Sequence, residues 1–159
     1  MLGEGEPFGS GGMRQAEQHS GNKEVAMTLA DQKVTTPFNE DILARTKRNS
    51  YFREVVSTGP HAQVVVMSIP PTGEIGEEVH EGVDQVLVFV EGEGVAVLEG
   101  QRSPVSPGRL VHVPAGTRHN FVNEGPVDLK LYTVYAPPEH APGTIHRTKA
   151  EADADEGHA

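Results

Sequence analysis

The sequence predicts an all-β domain, a sandwich or barrel of short strands, flanked by a disordered N-terminal segment and a loose C-terminal one. Three observations predict it. Between Tyr51 and Tyr135 short β-prone runs alternate with breaks that contain Gly and Pro, and almost no helical pattern intervenes. The apolar fraction is 36% and aromatics are 5%, low for a globular chain unless part of it lies outside the core. The two ends supply that part, because the apolar residues concentrate between them.

Residues 1–36 open with the string Gly-Glu-Gly-Glu-Pro-Phe-Gly-Ser-Gly-Gly and carry few apolar side chains. Such a segment cannot bury enough surface to offset its ordering entropy, so it is expected as a disordered tail. Asn39 is placed to cap a short helix over Glu40–Lys47, with Ile42 and Leu43 as its apolar residues. Strands are then predicted at Tyr51–Val56, Gln63–Ile69, Glu78–His80, Gln85–Glu91, Gly94–Leu98, Gln101–Val105, Arg109–Val113, Arg118–Asn123 and Leu129–Tyr135. The breaks carry turn chemistry, such as Pro70-Pro71-Thr72-Gly73, Glu99-Gly100 and Pro114-Ala115-Gly116. The folded domain is therefore set at residues 37–137, large enough for a core of its own. Pro137-Pro138 and Pro142-Gly143 take the chain out of it. Residues 138–159 are expected as an acidic tail, with a frayed stretch over Thr144–Ala154.

One strand is unusual. Val86-Leu87-Val88-Phe89-Val90 is apolar on both faces, which predicts burial of both. A second subunit over the outer face meets that requirement most simply, so a homodimer is expected.

The net charge of −10 excludes a nucleic-acid binder, which needs clustered Lys and Arg. There is no cysteine, so disulfides and thiolate metal sites are excluded. No signal-peptide core and no run of membrane-spanning length is present, and a cytoplasmic protein with no membrane partner is expected.

Of the eight histidines, His19, His140, His146 and His158 lie toward the ends with no partners at ligand spacing. His61 follows a turn proline, and His112 lies in a strand whose facing is open. His80 and His119 differ in their surroundings. On a strand Glu78 and His80 project to one face, because the side-chain period is two, and Gln85 returns to that face after the bend at Glu81–Asp84. A carboxylate, an imidazole and an amide oxygen suit a divalent first-row metal. In the second segment Pro114 ends a strand, Gly116 permits a tight turn, and His119 begins the returning strand. Around this set, Leu87 and Phe89 share parity with Gln85 and form an apolar floor, while Asp84 caps the bend and Arg118 faces out. Tyr132 and Phe121 are expected in the core.

These two segments resemble the paired motifs of the cupin superfamily. The second matches Gly-x5-Pro-x-Gly-x2-His-x3-Asn at each defined position from Gly108 to Asn123. In the first, Gln85 stands where the family usually has Glu, before Gly92, and Glu78-x-His80 stands for its His-x-His pair. The resemblance covers Tyr51 to Tyr135. It implies a double-stranded β-helix, or jelly-roll barrel, with one divalent transition metal (Mn, Fe, Zn or Ni) held by Glu78, His80, Gln85 and His119. The Glu-x-Val-His and Asp-Gln form is also similar to small stand-alone cupins likened to the cupin part of mannose-6-phosphate isomerase. An isomerase-like enzyme acting on a small polar metabolite, a sugar or keto acid, is the leading expectation. A non-catalytic binding module and an iron-dependent dioxygenase are the alternatives, because one barrel hosts many chemistries.

Overall fold

The computed structural model describes residues 37–156, so the expectations for residues 1–36 and 157–159 lie outside it. Helix α1 (Ile42–Arg48) opens the described chain. Asp41, not Asn39, is its N-cap and accepts from the Ala44 amide at 3.1 Å. Nine strands follow: β1 (Arg53–Thr58), β2 (Gln63–Ile69), β3 (Asp84–Glu91), β4 (Gly94–Leu98), β5 (Gln101–Val105), β6 (Leu110–Val113), β7 (His119–Asn123), β8 (Leu129–Ala136) and β9 (Ile145–His146). Helix α2 (Lys149–Glu156) ends them.

The strands form two antiparallel sheets, one ordered β6-β3-β8-β2-β1-β9 and one ordered β5-β4-β7. This is the expected jelly roll. Expected and observed bounds coincide for Gln63–Ile69, Gly94–Leu98 and Gln101–Val105, where Gly and Pro turns punctuate the sequence on both sides. The expected strand Glu78–His80 is not regular. Residues 73–80 run antiparallel beside β7, joined by Ile75 N to Phe121 O, Glu78 N to His119 O and His119 N to Glu78 O. Gly76, at φ +107°, interrupts the extended conformation that a continuous ladder needs.

Side-chain alternation sorts the barrel interior into rungs. Val113, Gln85, Tyr135 and Gln63 are register neighbours across β6, β3, β8 and β2. The next inward rung is Val111, Leu87, Thr133 and Val65, and the one after it brings Phe89, Leu131 and Met67 together. Polar side chains therefore gather at one end of the barrel and apolar ones fill the other. Leu87, Phe89 and Phe121 are fully buried, as expected of the floor and core.

The two faces of β3 are covered unequally within one chain. Val86, Val88 and Val90 are only half-buried, whereas Leu87 and Phe89 on the inner face are sealed. Part of the outer face is covered by the chain itself, since α1 packs over β2, β3 and β8 and Val66 beneath it is fully buried. Tyr132, expected in the core, projects to this outer face and is half-buried, because it alternates with the inward Leu131 and Thr133.

The chain beyond β8 is not a frayed tail. β9 pairs with β1, and α2 follows it. Thr148 Oγ1 accepts from the Glu151 amide at 3.2 Å, and the Glu151 carboxylate returns to the Arg147 amide at 2.7 Å. This reciprocal capping starts the helix. Ala152 is the buried residue of this helix, and Glu156 meets the buried Arg53 at 3.0 Å. His146, set aside above, is buried between Arg53 (3.3 Å from Nδ1) and Asp155 (2.9 Å from Nε2).

Candidate metal centre

Three elements bring the candidate ligands to the polar end of the barrel. The irregular segment 73–80 carries Glu78 and His80, the first residue of β7 is His119, and Gln85 is the second residue of β3. Glu78 is bridged backbone to backbone with His119, and the His80 carbonyl accepts from Gly116 at 2.9 Å. The turn that Gly116 makes, at φ +83°, thus docks the first motif against the second.

Glu78, His80 and His119 each offer a ligand atom, and these atoms lie within 4.8 Å of one another. Glu78 Oε2 is 3.0 Å from His80 Nε2 and 4.0 Å from His119 Nε2. The two imidazoles are tilted at 46° with centroids 5.2 Å apart. Both therefore direct Nε2 toward one carboxylate.

The opposite ring nitrogens explain that orientation. His119 Nδ1 lies 2.8 Å from the Thr117 carbonyl, which can only accept, so the proton sits on Nδ1 and Nε2 keeps its lone pair. His80 Nδ1 lies 3.2 Å from Glu139 Oε1, a carboxylate supplied by the chain beyond β8. The Glu78 carboxylate beside its ring holds the His80 pKa above the ordinary imidazole value, against the opposing effect of burial.

Gln85 is 2% exposed. Its Nε2 donates to Thr133 Oγ1 at 3.1 Å, and that hydroxyl donates on to the Val86 carbonyl at 2.9 Å. Its Oε1 is buried with no hydrogen-bond partner, and His80 Nε2, although 3.0 Å from Glu78 Oε2, is buried without an aligned hydrogen bond. A buried polar atom without a partner carries a desolvation cost, and both of these are lone-pair donors at the same end of the barrel. A divalent cation would satisfy them, and a set of two imidazoles, one carboxylate and one amide oxygen fits such an ion.

A pocket of about 430 Å³ opens onto this cluster, lined by Glu78, Val79, His80, Glu139, His140 and Glu156. Tyr135 is buried behind the lining residues, edge-on to His80 at 5.9 Å and to His140 at 5.1 Å. Burial raises the Tyr135 pKa and keeps its phenol neutral. Burial, with Arg53 nearby, pushes the His140 pKa down to about 3. His140 is therefore a neutral, partly buried ring beside the site, packed against Tyr135. His112 faces outward on β6 and is exposed. Arg118 faces out onto Glu77 at 3.2 Å, as expected. Asp84 caps the facing β6–β7 turn by accepting from Ala115 at 2.9 Å.

Four residues with a part in this site were missed by sequence reasoning. Thr117 and Thr133 bear on ligand orientation, and Glu139 and Gln63 belong to contacts across the barrel. Thr117 was findable, since it lies two residues before His119; the others have no local signal.

A jelly roll with a His/Glu cluster inside one end is a barrel with a candidate metal site. The family model for the cupin domain matches residues 65–135. The chain is 43% identical to the uncharacterized protein YrkC of Bacillus subtilis over 126 residues, 76% of this chain and 68% of that one. It is similar to the crystal structure of BH2720 from Bacillus halodurans, with 42% identity and a TM-score of 0.74 over 75% of this chain and 95% of that one. An oxalate-binding protein of Thermotoga maritima is 31% identical over 68 residues, 43% of this chain and 56% of that one. The chain belongs to the cupin superfamily.

Proposed function

We propose that this protein holds one divalent transition metal through Glu78, His80, Gln85 and His119 and acts on a small polar metabolite with adjacent oxygens, a sugar or keto acid, in an isomerase-like proton transfer. The observation that carries this is the convergence of Glu78, His80 and His119 within 4.8 Å beside a buried, partnerless Gln85 oxygen. An ion held there polarises an oxygen of the bound molecule. The chain's own residues do the rest. The pocket admits the metabolite past Val79 and His140, Leu87 and Phe89 seal the barrel interior beyond Gln85, and Tyr135 stays a neutral phenol behind His80. Glu78, with 22% of its side chain exposed, touches both imidazoles and serves as ligand, or as base when displaced from the ion. A metabolite-binding role without turnover is the second reading, favoured by the similarity to an oxalate-binding protein.

The test is elemental analysis of untagged protein from metal-replete medium, beside a His80→Ala/His119→Ala double variant. Near one metal per chain in the parent and none in the variant supports the site. No metal in the parent, even after loading, overturns it. A metabolite retained through purification, with no turnover of sugars or keto acids by the loaded protein, supports the second reading. The homodimer belongs to the same proposal: a second copy would cover the half-buried Val86 and Val88 beside Leu110, which is 58% exposed. Light scattering at one chain mass would remove it.

A further inference from the structure

We infer that Glu139 is a positioning residue for the metal centre, holding His80 by Nδ1 so that Nε2 faces the other donors, and that the chain beyond the barrel is therefore part of the site. This rests on the metal site proposed above.

His80 needs an external hold. It lies outside any regular strand, past the Glu78–His119 bridge, and its own carbonyl accepts one bond from Gly116. The ring has no counterpart of the Thr117 carbonyl that fixes His119. Glu139 Oε1, 3.2 Å from Nδ1, fills that place. Metal-bound histidines commonly donate their other ring N–H to a carboxylate, which sets the tautomer and strengthens the ligand. Glu139 is not itself a ligand in this arrangement. It meets the edge of the imidazole opposite to the one that faces Glu78, so an ion at Nε2 is beyond its reach.

Glu139 is also held. Gln63, 1% exposed on the same rung as Gln85, accepts from the Glu139 amide at 3.3 Å and the His140 amide at 3.0 Å. Its own amide donates to the His140 carbonyl at 2.7 Å and to Thr58 at 3.0 Å. His140 then packs edge-on against Tyr135, which packs edge-on against His80. One buried amide in β2 thus latches the segment after β8, and that segment orients the ligand.

The test measures Co²⁺ affinity of the metal-free, full-length protein by visible absorption, with melting temperatures alongside. Glu139→Ala is expected to weaken binding by roughly 10- to 100-fold. Glu139→Gln, whose amide oxygen still accepts from Nδ1–H, is expected to recover most of that loss, which a merely structural role would not predict. Gln63→Ala is expected to weaken binding too, and to add nothing to Glu139→Ala in the double variant, because it acts through the same contact. Where alanine lowers the metal-free melting temperature, Glu139→Leu removes the acceptor and keeps the bulk. Parent-like affinity in both Glu139→Ala and Glu139→Leu overturns the inference and leaves the metal site standing. Glu139→Gln as weak as Glu139→Ala assigns the effect to charge and also overturns it. No Co²⁺ uptake by the parent removes the metal site itself, and the inference with it.

Discussion

The two histidines of the site are held in opposite ways. His119 begins β7 after a tight turn, and its ring is fixed by a carbonyl two residues earlier in its own chain. His80 sits on an irregular segment, and its ring is met by a carboxylate 59 residues further on. One half of the site is built by local chain geometry and the other by contacts across the fold. The local half tolerates changes elsewhere in the molecule, whereas the remote half depends on the segment after β8 and on its latch.

The largest effect expected from breaking this pair is at His119. His119→Ala removes a donor whose position no other residue replaces, and metal uptake is expected to fall below detection by elemental analysis. Asn123, in the same motif, sharpens the contrast. It is 1% exposed, donates to the Ile69 and Val127 carbonyls at 2.9 Å each, and accepts from the Gly125 amide at 2.9 Å. Asn123→Ala leaves these backbone groups unpaired and is expected to cost about 3 kcal/mol of stability. Co²⁺ affinity of the folded fraction should not change. Denaturant melts and metal titration together check both halves of that statement.

Next in size is Gln85→Glu. A third carboxylate beside Glu78 and Glu139 repels them in the metal-free protein, and Thr133 loses the donor it accepts from. The metal-free melting temperature is expected to fall and Co²⁺ affinity to rise. An unchanged Co²⁺ affinity would place Gln85 away from the ion.

The smallest effect is on pH dependence. His140 has a pKa of about 3 in the folded protein, against an ordinary value near 6.5. Between those values the unfolded chain binds the extra proton, so this group's stability contribution is lost as pH falls from about 6.5 toward 3. His80, whose pKa is raised, works in the other sense: its contribution is full below about 6.5 and is lost as pH rises through its folded value. The difference between parent and His140→Gln isolates the first group. The variant's melting temperature is expected to fall less on acidification from pH 7 to pH 4.5; parallel curves would show that burial does not hold His140 neutral.

Legibility followed the distance over which each feature is determined. The strands Gln63–Ile69 and Gly94–Leu98 could be read to their ends because turn chemistry stands on both sides of each. Gln85 could be placed on the inner face with Leu87 and Phe89 because the strand period is two. Helix α2 was missed although Thr148-Lys149-Ala150-Glu151 carries a capping pattern, since few apolar residues follow it and its docking depends on Arg53 and His146. What covers the outer face of β3 was not legible, because hydropathy shows that a face is apolar and does not show what lies over it.

By itself the sequence determined the all-β class, most strand positions and the two segments that carry the candidate ligands, because alternation and Gly/Pro turns act over a few residues. Only the tertiary structure decided that Glu78 lies against His119, that Thr133 turns the Gln85 oxygen free, and that residues 138–156 pack on the barrel, with Glu139 reaching His80. Those contacts join residues far apart in the chain. Their strength comes from burial and hydrogen-bond geometry that exist only once the sheets have closed.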